Sequence, residues 1–164
     1  MKKCVFAGTF DPPTLGHKAM VEECLKLFDF VVVGVLDNST KRPYFTDQER
    51  LKMLQLMFGK EERVKAVLFS GTAAELLEKE NATIYVRGVR NTVDFEYENE
   101  NFFASSKLKK DMLTVYLPCP QELLHVSSHM ARNALKFSAP LSDYVTKEVE
   151  EYIRARQTEK EDLK

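Results

Sequence analysis

The run Phe30-Val31-Val32-Val33-Gly34-Val35-Leu36 limits the possible folds more than any other stretch of the chain. It is apolar almost without a break and rich in valine, whereas a strand with one wet face alternates apolar and polar side chains. Such a run reads as a strand covered on both faces, which implies a parallel sheet between layers of helices. Shorter apolar runs at residues 4–7, 64–69, 83–86 and 113–117 repeat the signal, the last ended by Pro118-Cys119-Pro120.

Helical patterns separate these strands. Val21, Cys24, Leu25 and Phe28 recur at the spacing of one helix face. Thr46-Asp47-Gln48-Glu49 is a capping-box pattern before Leu51, Leu54 and Phe58. A short helix is predicted over residues 73–80 and another over 93–107, with Phe95, Phe102 and Phe103 as core candidates. Ser127-Ser128 fits a cap for a helix carrying Met130, Ala134 and Leu135. From Leu141 onward a last helix is expected, with Val145, Val149 and Ile153 spaced by four, and a charged, frayed tail after Arg156. Strands alternating with helices predict an α/β fold: a single-domain, doubly wound, Rossmann-like sheet of five parallel strands with helices on both faces. The domain is expected over residues 1–157 and the charged C-terminal tail over 158–164.

With 164 residues, 44% hydrophobic and 30% charged, the chain is long enough for one proper core. A net charge of −1 gives no global basic field of the kind a nucleic-acid partner needs. No stretch approaches the roughly 18 apolar residues of a membrane span, and the N-terminal apolar run is too short for a signal peptide. A cytoplasmic protein is therefore expected. Cys4, Cys24 and Cys119 are odd in number, widely spaced and without a Cys-x-x-Cys pair, so they read as reduced thiols rather than a disulfide framework or zinc site.

In doubly wound sheets the ligand binds beyond the carboxyl ends of the strands. Four polar clusters are expected there. Gly8-Thr9-Phe10-Asp11-Pro12-Pro13-Thr14-Leu15-Gly16-His17 joins the first strand to the first helix, where free amides and the helix dipole favour an anion. Gly8 is expected to make the tight turn, Pro12-Pro13 to stiffen the loop, and His17 to offer an imidazole N–H to a phosphate oxygen. Lys41 follows the second strand. Arg87-Gly88-Val89-Arg90 reads as a tight turn after the fourth, its guanidinium forks suited to phosphate or, as the plainer reading, to ion pairs with Asp94, Glu96 or Glu98. Ser127-Ser128 lies beyond the fifth. No serine or cysteine is matched with a base and its orienter, and the Gly-x-x-x-x-Gly-Lys loop is absent. A site rich in phosphate donors and lacking a nucleophile suits phosphoryl or nucleotidyl transfer, in which one substrate attacks the other.

The series Gly8-Thr9-Phe10-Asp11-Pro12 with Thr14-x-Gly16-His17, then Lys41-Arg42-Pro43, then Arg87-Gly88-Val89-Arg90 and Asp94-Phe95-Glu96-Tyr97-Glu98, resembles bacterial phosphopantetheine adenylyltransferases over residues 1–155. The first motif alone marks only the wider nucleotidyltransferase superfamily, many of whose members have His-x-Gly-His where this chain has Thr14. The resemblance implies transfer of the adenylyl group of ATP to 4′-phosphopantetheine, giving dephospho-coenzyme A and pyrophosphate. It also implies magnesium with the ATP, a homohexamer, and feedback binding of coenzyme A.

Carried over by motif, His17 stabilises the transition state at the α-phosphorus, with Lys41 and Arg90 as further catalytic groups. Thr9, Lys41, Ala73 and Arg87 bind phosphopantetheine. Thr9, Phe10, His17, Gly88, Val89, Arg90, Glu98 and the stretch Leu123, Leu124, His125, Val126, Ser127, Ser128 and His129 line the ATP site; no metal ligand is assigned. His129 stands where the family has a third Ser or Thr, while the basic residue that follows is kept as Arg132, and strand two ends in Leu36-Asp37-Asn38 rather than small residues. Two alternatives remain: adenylyl or cytidylyl transfer to another phosphorylated acceptor such as nicotinamide mononucleotide, and a non-catalytic nucleotide or coenzyme A sensor.

Overall fold

The computed structural model describes residues 1–37 and 42–162, with side chains described for all of these except 101–106 and 160–162. Strand β1 (Lys3–Gly8) leads to α1 (Leu15–Leu27), β2 (Phe30–Asp37), α2 (Asp47–Phe58), β3 (Val64–Ser70), α3 (Ala73–Lys79) and β4 (Ile84–Val89). After α4 (Thr92–Ser106) and β5 (Leu113–Pro118) come a single 3-10 turn at Gln121–Leu123, then α5 (Ser128–Lys136) and α6 (Lys147–Asp162). The five strands form the single parallel sheet that the apolar runs predict, in the order β3-β2-β1-β4-β5.

Two cores cover the faces of this sheet. On one side Cys4, Phe6, Val31, Val33 and Val35 pack under α1, α2, α5 and α6, through residues such as Val21, Leu54, Leu135 and Ile153. On the other, Val5, Ala7 and Val32 meet Leu76 and Leu77 of α3, and α4 touches α3 on the same side. Neighbouring valines of β2 thus point into opposite cores and are fully buried, which explains why the run lacks alternation. Gly34 breaks the valines because a Cβ there would collide with the Cδ2 of Leu76, so its absence lets α3 approach the strand.

The helix starts are locally encoded. Thr14, Thr46 and Thr72 each cap a helix with a reciprocal box, the partner at the third position being His17, Glu49 and Glu75. Ser127 caps α5 by accepting from the Met130 amide. The free thiols of Cys4 and Cys24 are buried against each other, and their contact pushes the Cys4 pKa up.

Several expectations need correcting. The left-handed residue of the first loop is Phe10, at φ 52°, while Gly8 ends β1 in ordinary backbone; the Asp11-Pro12 peptide is cis. Arg87, Gly88 and Val89 are not a turn but the last rungs of β4, paired with Tyr116, Leu117 and Pro118 of β5. Phe95 does not enter the core: it is 43% exposed, with its ring edge-on to Tyr116. The side chains of Phe102 and Phe103 lie outside those described. The last helix begins at Lys147 rather than Leu141, because Leu141 and Val145 are buried from the preceding turns. It also continues past Arg156 to Asp162, where frayed chain was expected; Arg156 is tied to Glu49 of α2 and Glu159 of its own helix.

Candidate active site

The strand register creates the site. β1 pairs with β4 only from Cys4, Val5 and Phe6 to Ile84, Tyr85 and Val86, while Ala7 and Gly8 stay paired with β2 and residues 87–89 with β5. The sheet therefore parts between β1 and β4 at its carboxyl edge. This is also where the winding reverses, since β1 leads outward to β2 and the chain later returns to β4 on its other side.

A cavity of about 410 Å³ fills the gap and is lined by Thr9, Phe10, His17, Arg87, Gly88, Arg90, Glu98, Ser127, Ser128 and His129, together with Phe6, Met20, Asp94, Cys119 and Val126. A second, of about 550 Å³, adjoins it through Thr9 and Ser128 and carries Arg42, Arg50 and Arg132. Of the residues expected at the site, Val89, Ala73, Leu123, Leu124 and His125 do not line either cavity. Ala73 opens α3 beyond β3, and Leu123 to His125 form the turn leading into Val126. Lys41 lies outside the described residues.

His17 is held by its own helix start. The Thr14 backbone N–H donates to its Nδ1 at 3.0 Å, and Thr14 Oγ1 lies 3.1 Å from the same nitrogen. A ring nitrogen that accepts an amide proton carries none in the neutral ring, so the proton belongs on Nε2. Burial lowers the imidazole pKa from 6.5 to about 4, with the positive charges of Arg87 and Arg90 acting in the same direction. At neutral pH the ring is an uncharged donor. Phe10 fixes its tilt, edge-on with ring centres 4.8 Å apart. A phenylalanine at φ 52° is strained by about 1–3 kcal/mol. Its ring is 2% exposed, packed between Phe6 and His17.

The loop carrying Thr9 and His17 is gripped from several directions. Arg50 donates to the Thr9 carbonyl at 2.7 Å and pairs with Asp47. The Asp11 carboxylate accepts the amides of Tyr44 and Phe45, both at 2.8 Å. Arg132 donates to the Asp11 carbonyl at 2.6 Å, and Ser128 Oγ to that of Pro12 at 2.8 Å. Sequence reading missed Arg50 and Asp11. Arg50 reads as a charge in the first turn of an amphipathic helix, yet it is 1% exposed. Its spacing from Asp47 was the available signal. Asp11 before two prolines looks like part of an ordinary turn.

On the opposite wall, Arg87 donates Nε to Glu98 Oε2 at 2.7 Å and Nη2 to Glu98 Oε1, and Nη1 reaches the Ala7 carbonyl at 2.7 Å and the Tyr85 hydroxyl at 3.0 Å. Burial opposes its charge, but the Glu98 carboxylate and the hydrogen bond to the Tyr85 hydroxyl outweigh that and hold the pKa above the ordinary arginine value. Arg90 pairs with Asp94 at 2.9 Å, which raises the arginine and lowers the carboxyl. The plain ion-pair reading of these arginines is thus realised, and both still face the cavity. Gly88, which lines the cavity, also leaves room for α1: a Cβ there would lie 3.1 Å from Met20 Cγ. His129 is exposed, 3.2 Å from the Asn133 amide nitrogen.

The cavity therefore gathers one neutral imidazole donor, two guanidinium groups and the N-terminus of α5. Those groups can bind and neutralise phosphate; none is a nucleophile set against a base. Among the described residues no three His, Cys, Asp or Glu side chains cluster to hold a metal. The nearby carboxylates of Asp11, Asp94 and Glu98 are engaged by backbone amides or arginines.

Comparison with known proteins gives a consistent result. Residues 5–134 match the model of the cytidylyltransferase-like family. The phosphopantetheine adenylyltransferase of Cytophaga hutchinsonii is 35% identical over 144 residues, covering 88% of this chain and 96% of the relative. Those of Lachnoclostridium phytofermentans and Natranaerobius thermophilus are 33% and 30% identical, each over 93% of this chain and 94% of the relative. A crystal structure from Vibrio parahaemolyticus, provisionally described as a nicotinate-nucleotide adenylyltransferase, has a TM-score of 0.71 at 24% identity and covers 94% of this chain and 93% of that one. At that identity it speaks for the fold alone.

Proposed function

The chain belongs to the cytidylyltransferase-like family and, within it, to the phosphopantetheine adenylyltransferases; from that premise we propose that it transfers the adenylyl group of ATP to 4′-phosphopantetheine. The phosphate oxygen of phosphopantetheine attacks the α-phosphorus of ATP. The bond from that phosphorus to the bridging oxygen breaks, and pyrophosphate leaves with the electron pair. Dephospho-coenzyme A is the other product.

The observation that carries this reading is the state of His17. Its Nδ1 is occupied by the Thr14 amide, so Nε2 presents a proton to the cavity without adding a charge. A neutral donor aimed at a phosphoryl oxygen strengthens as negative charge builds in the transition state, and it takes no proton from the attacking phosphate. Arg90 and the amides at the start of α5 take the ATP phosphates. Ser127 keeps a hydroxyl proton to donate, since its oxygen accepts from Met130, whereas Ser128 donates to Pro12. Arg132, beside Ser128, gives the pyrophosphate portion a cation in the second cavity.

Arg87 and Lys41 hold the phosphate of phosphopantetheine, with Thr9 between the two substrates and Ala73 along the pantetheine arm. Magnesium enters as part of the substrate, on the phosphates of ATP. The engaged carboxylates fit that role better than a resident ion, since magnesium binds through few protein groups and keeps its water. We place the enzyme in the cytoplasm as a homohexamer that rebinds coenzyme A as a feedback ligand. The exposed apolar side chains of Val93, Phe95 and Leu113 support assembly.

Incubation with ATP, magnesium and 4′-phosphopantetheine is expected to release pyrophosphate and give dephospho-coenzyme A, identified by mass. No pyrophosphate at saturating substrate sinks the proposal. Turnover with nicotinamide mononucleotide alone moves the chain to a different acceptor. Tight binding without turnover makes it a sensor.

A further inference from the structure

Arg87 has five N–H donors, and its own chain engages four of them. The two halves of its head are held by different chemistry. Glu98 occupies the Nε and Nη2 side, the fork through which a guanidinium takes an oxyanion two bonds at a time. Ala7 and Tyr85 hold Nη1 from within the sheet. A substrate phosphate can take the donor left on Nη2 or displace Glu98 from the fork, and in either case the aim of the head depends on Nη1.

Tyr85 lies two residues before Arg87 in β4, hence on the same face of the strand. Its ring centre is 5.6 Å from the guanidinium carbon and its hydroxyl 3.0 Å from Nη1. Burial raises the phenol pKa, which keeps the hydroxyl uncharged. The two anchors therefore differ in their effect on a ligand. Glu98 orients Arg87 and cancels its charge, whereas Tyr85 orients it and leaves the charge for the phosphate. With the hydroxyl removed, Nη1 is left with the Ala7 carbonyl and can pivot about a single bond.

Resting on the reaction proposed above, we infer that Tyr85 is a positioning residue, which aims Arg87 at the phosphate of phosphopantetheine without itself cancelling any of the arginine's charge. Tyr85→Phe keeps the ring and deletes one oxygen. Calorimetry with 4′-phosphopantetheine, together with kcat and KM for each substrate, reads the result. The expected outcome is about a tenfold rise in both Kd and KM for phosphopantetheine, as for loss of a hydrogen bond to a charged group. The KM for ATP and the thermal midpoint stay close to wild type.

Arg87→Lys supplies the second arm: if Tyr85 acts through Arg87, adding Tyr85→Phe to it changes the phosphopantetheine Kd less than twofold. Unchanged phosphopantetheine affinity in Tyr85→Phe overturns the inference. So does an equal rise in both substrates' KM with a fallen midpoint, since that marks a merely structural role. Wild-type protein that binds phosphopantetheine without turnover overturns the proposed reaction, and its Kd comparison still decides Tyr85. Wild-type protein that does not bind it overturns both.

Discussion

The two walls of the active-site cavity are held in opposite ways. The wall at residues 9–17 is fixed through its backbone: Arg50 holds the Thr9 carbonyl, Arg132 that of Asp11, Ser128 that of Pro12, and the Asp11 carboxylate binds two amides of the next loop. The wall at Arg87 and Arg90 is held through side chains, by the carboxylates of Glu98 and Asp94 on a single helix. A backbone clamp fixes geometry before substrate arrives, as stabilisation of developing charge requires. A side-chain ion pair can exchange one anion for another. The first wall thus suits the transition state, and the second suits substrates that come and go.

Substitutions on the two walls should therefore fail differently. The largest effect is expected for His17→Ala, with kcat lower by about 100- to 1,000-fold, the scale of losing one preorganised donor. Its ATP affinity, measured by calorimetry, stays near wild type. A near-normal kcat would show that the first wall does not act on the transition state.

Asp11→Ala removes the acceptor for two amides and is expected to destabilise the fold by about 3 kcal/mol in urea unfolding. Rate and stability should fall together, because the same bonds serve both. Full activity with that loss of stability would separate the clamp from catalysis.

The pH response follows from His17. Its pKa is about 4 in the fold against 6.5 ordinarily, so the unfolded chain binds the proton more readily. The stability it contributes is present above pH 6.5 and is lost as pH falls toward 4. Urea unfolding at pH 7 and pH 5 should show a larger decline for wild type than for His17→Gln. In kcat no limb from this residue is expected between pH 6 and 8. A limb near pH 6.5 that His17→Gln abolishes would mean that the ring works as a titrating base.

The smallest effect is expected for Asp94→Asn on the second wall. The pair with Arg90 is partly exposed and contributes little, so the KM for ATP should rise about two- to threefold without a measurable change in unfolding. A substantial loss of stability there would erase the contrast between the walls.

Much of this arrangement was legible in the chain because it rests on short-range chemistry. The valine run, the threonine capping boxes and the serine cap of α5 depend on residues within a few positions of each other. His17 and Arg87 could be picked out because they follow strand signals directly. Other features were not legible. Arg50 serves a carbonyl 41 residues away, and Asp11 serves amides 33 and 34 residues away, distances over which sequence spacing carries no geometric information. The extent of β4 was misread because Gly88 resembles a turn residue, while the ladder to β5 decides otherwise.

By itself, then, the sequence determined a parallel sheet, its alternating helices, and the polar clusters at the carboxyl ends of the strands, since burial pattern and capping are local in origin. Tertiary structure alone decided that β1 and β4 part at Phe6 and Val86, leaving a cavity between them. It also decided that the loop carrying His17 is clamped by Arg50, Arg132 and the Asp11 carboxylate, and that Arg87 and Arg90 meet their carboxylates at the cavity wall. Strand register and long-range hydrogen bonds are settled by packing among distant segments, which no local pattern encodes.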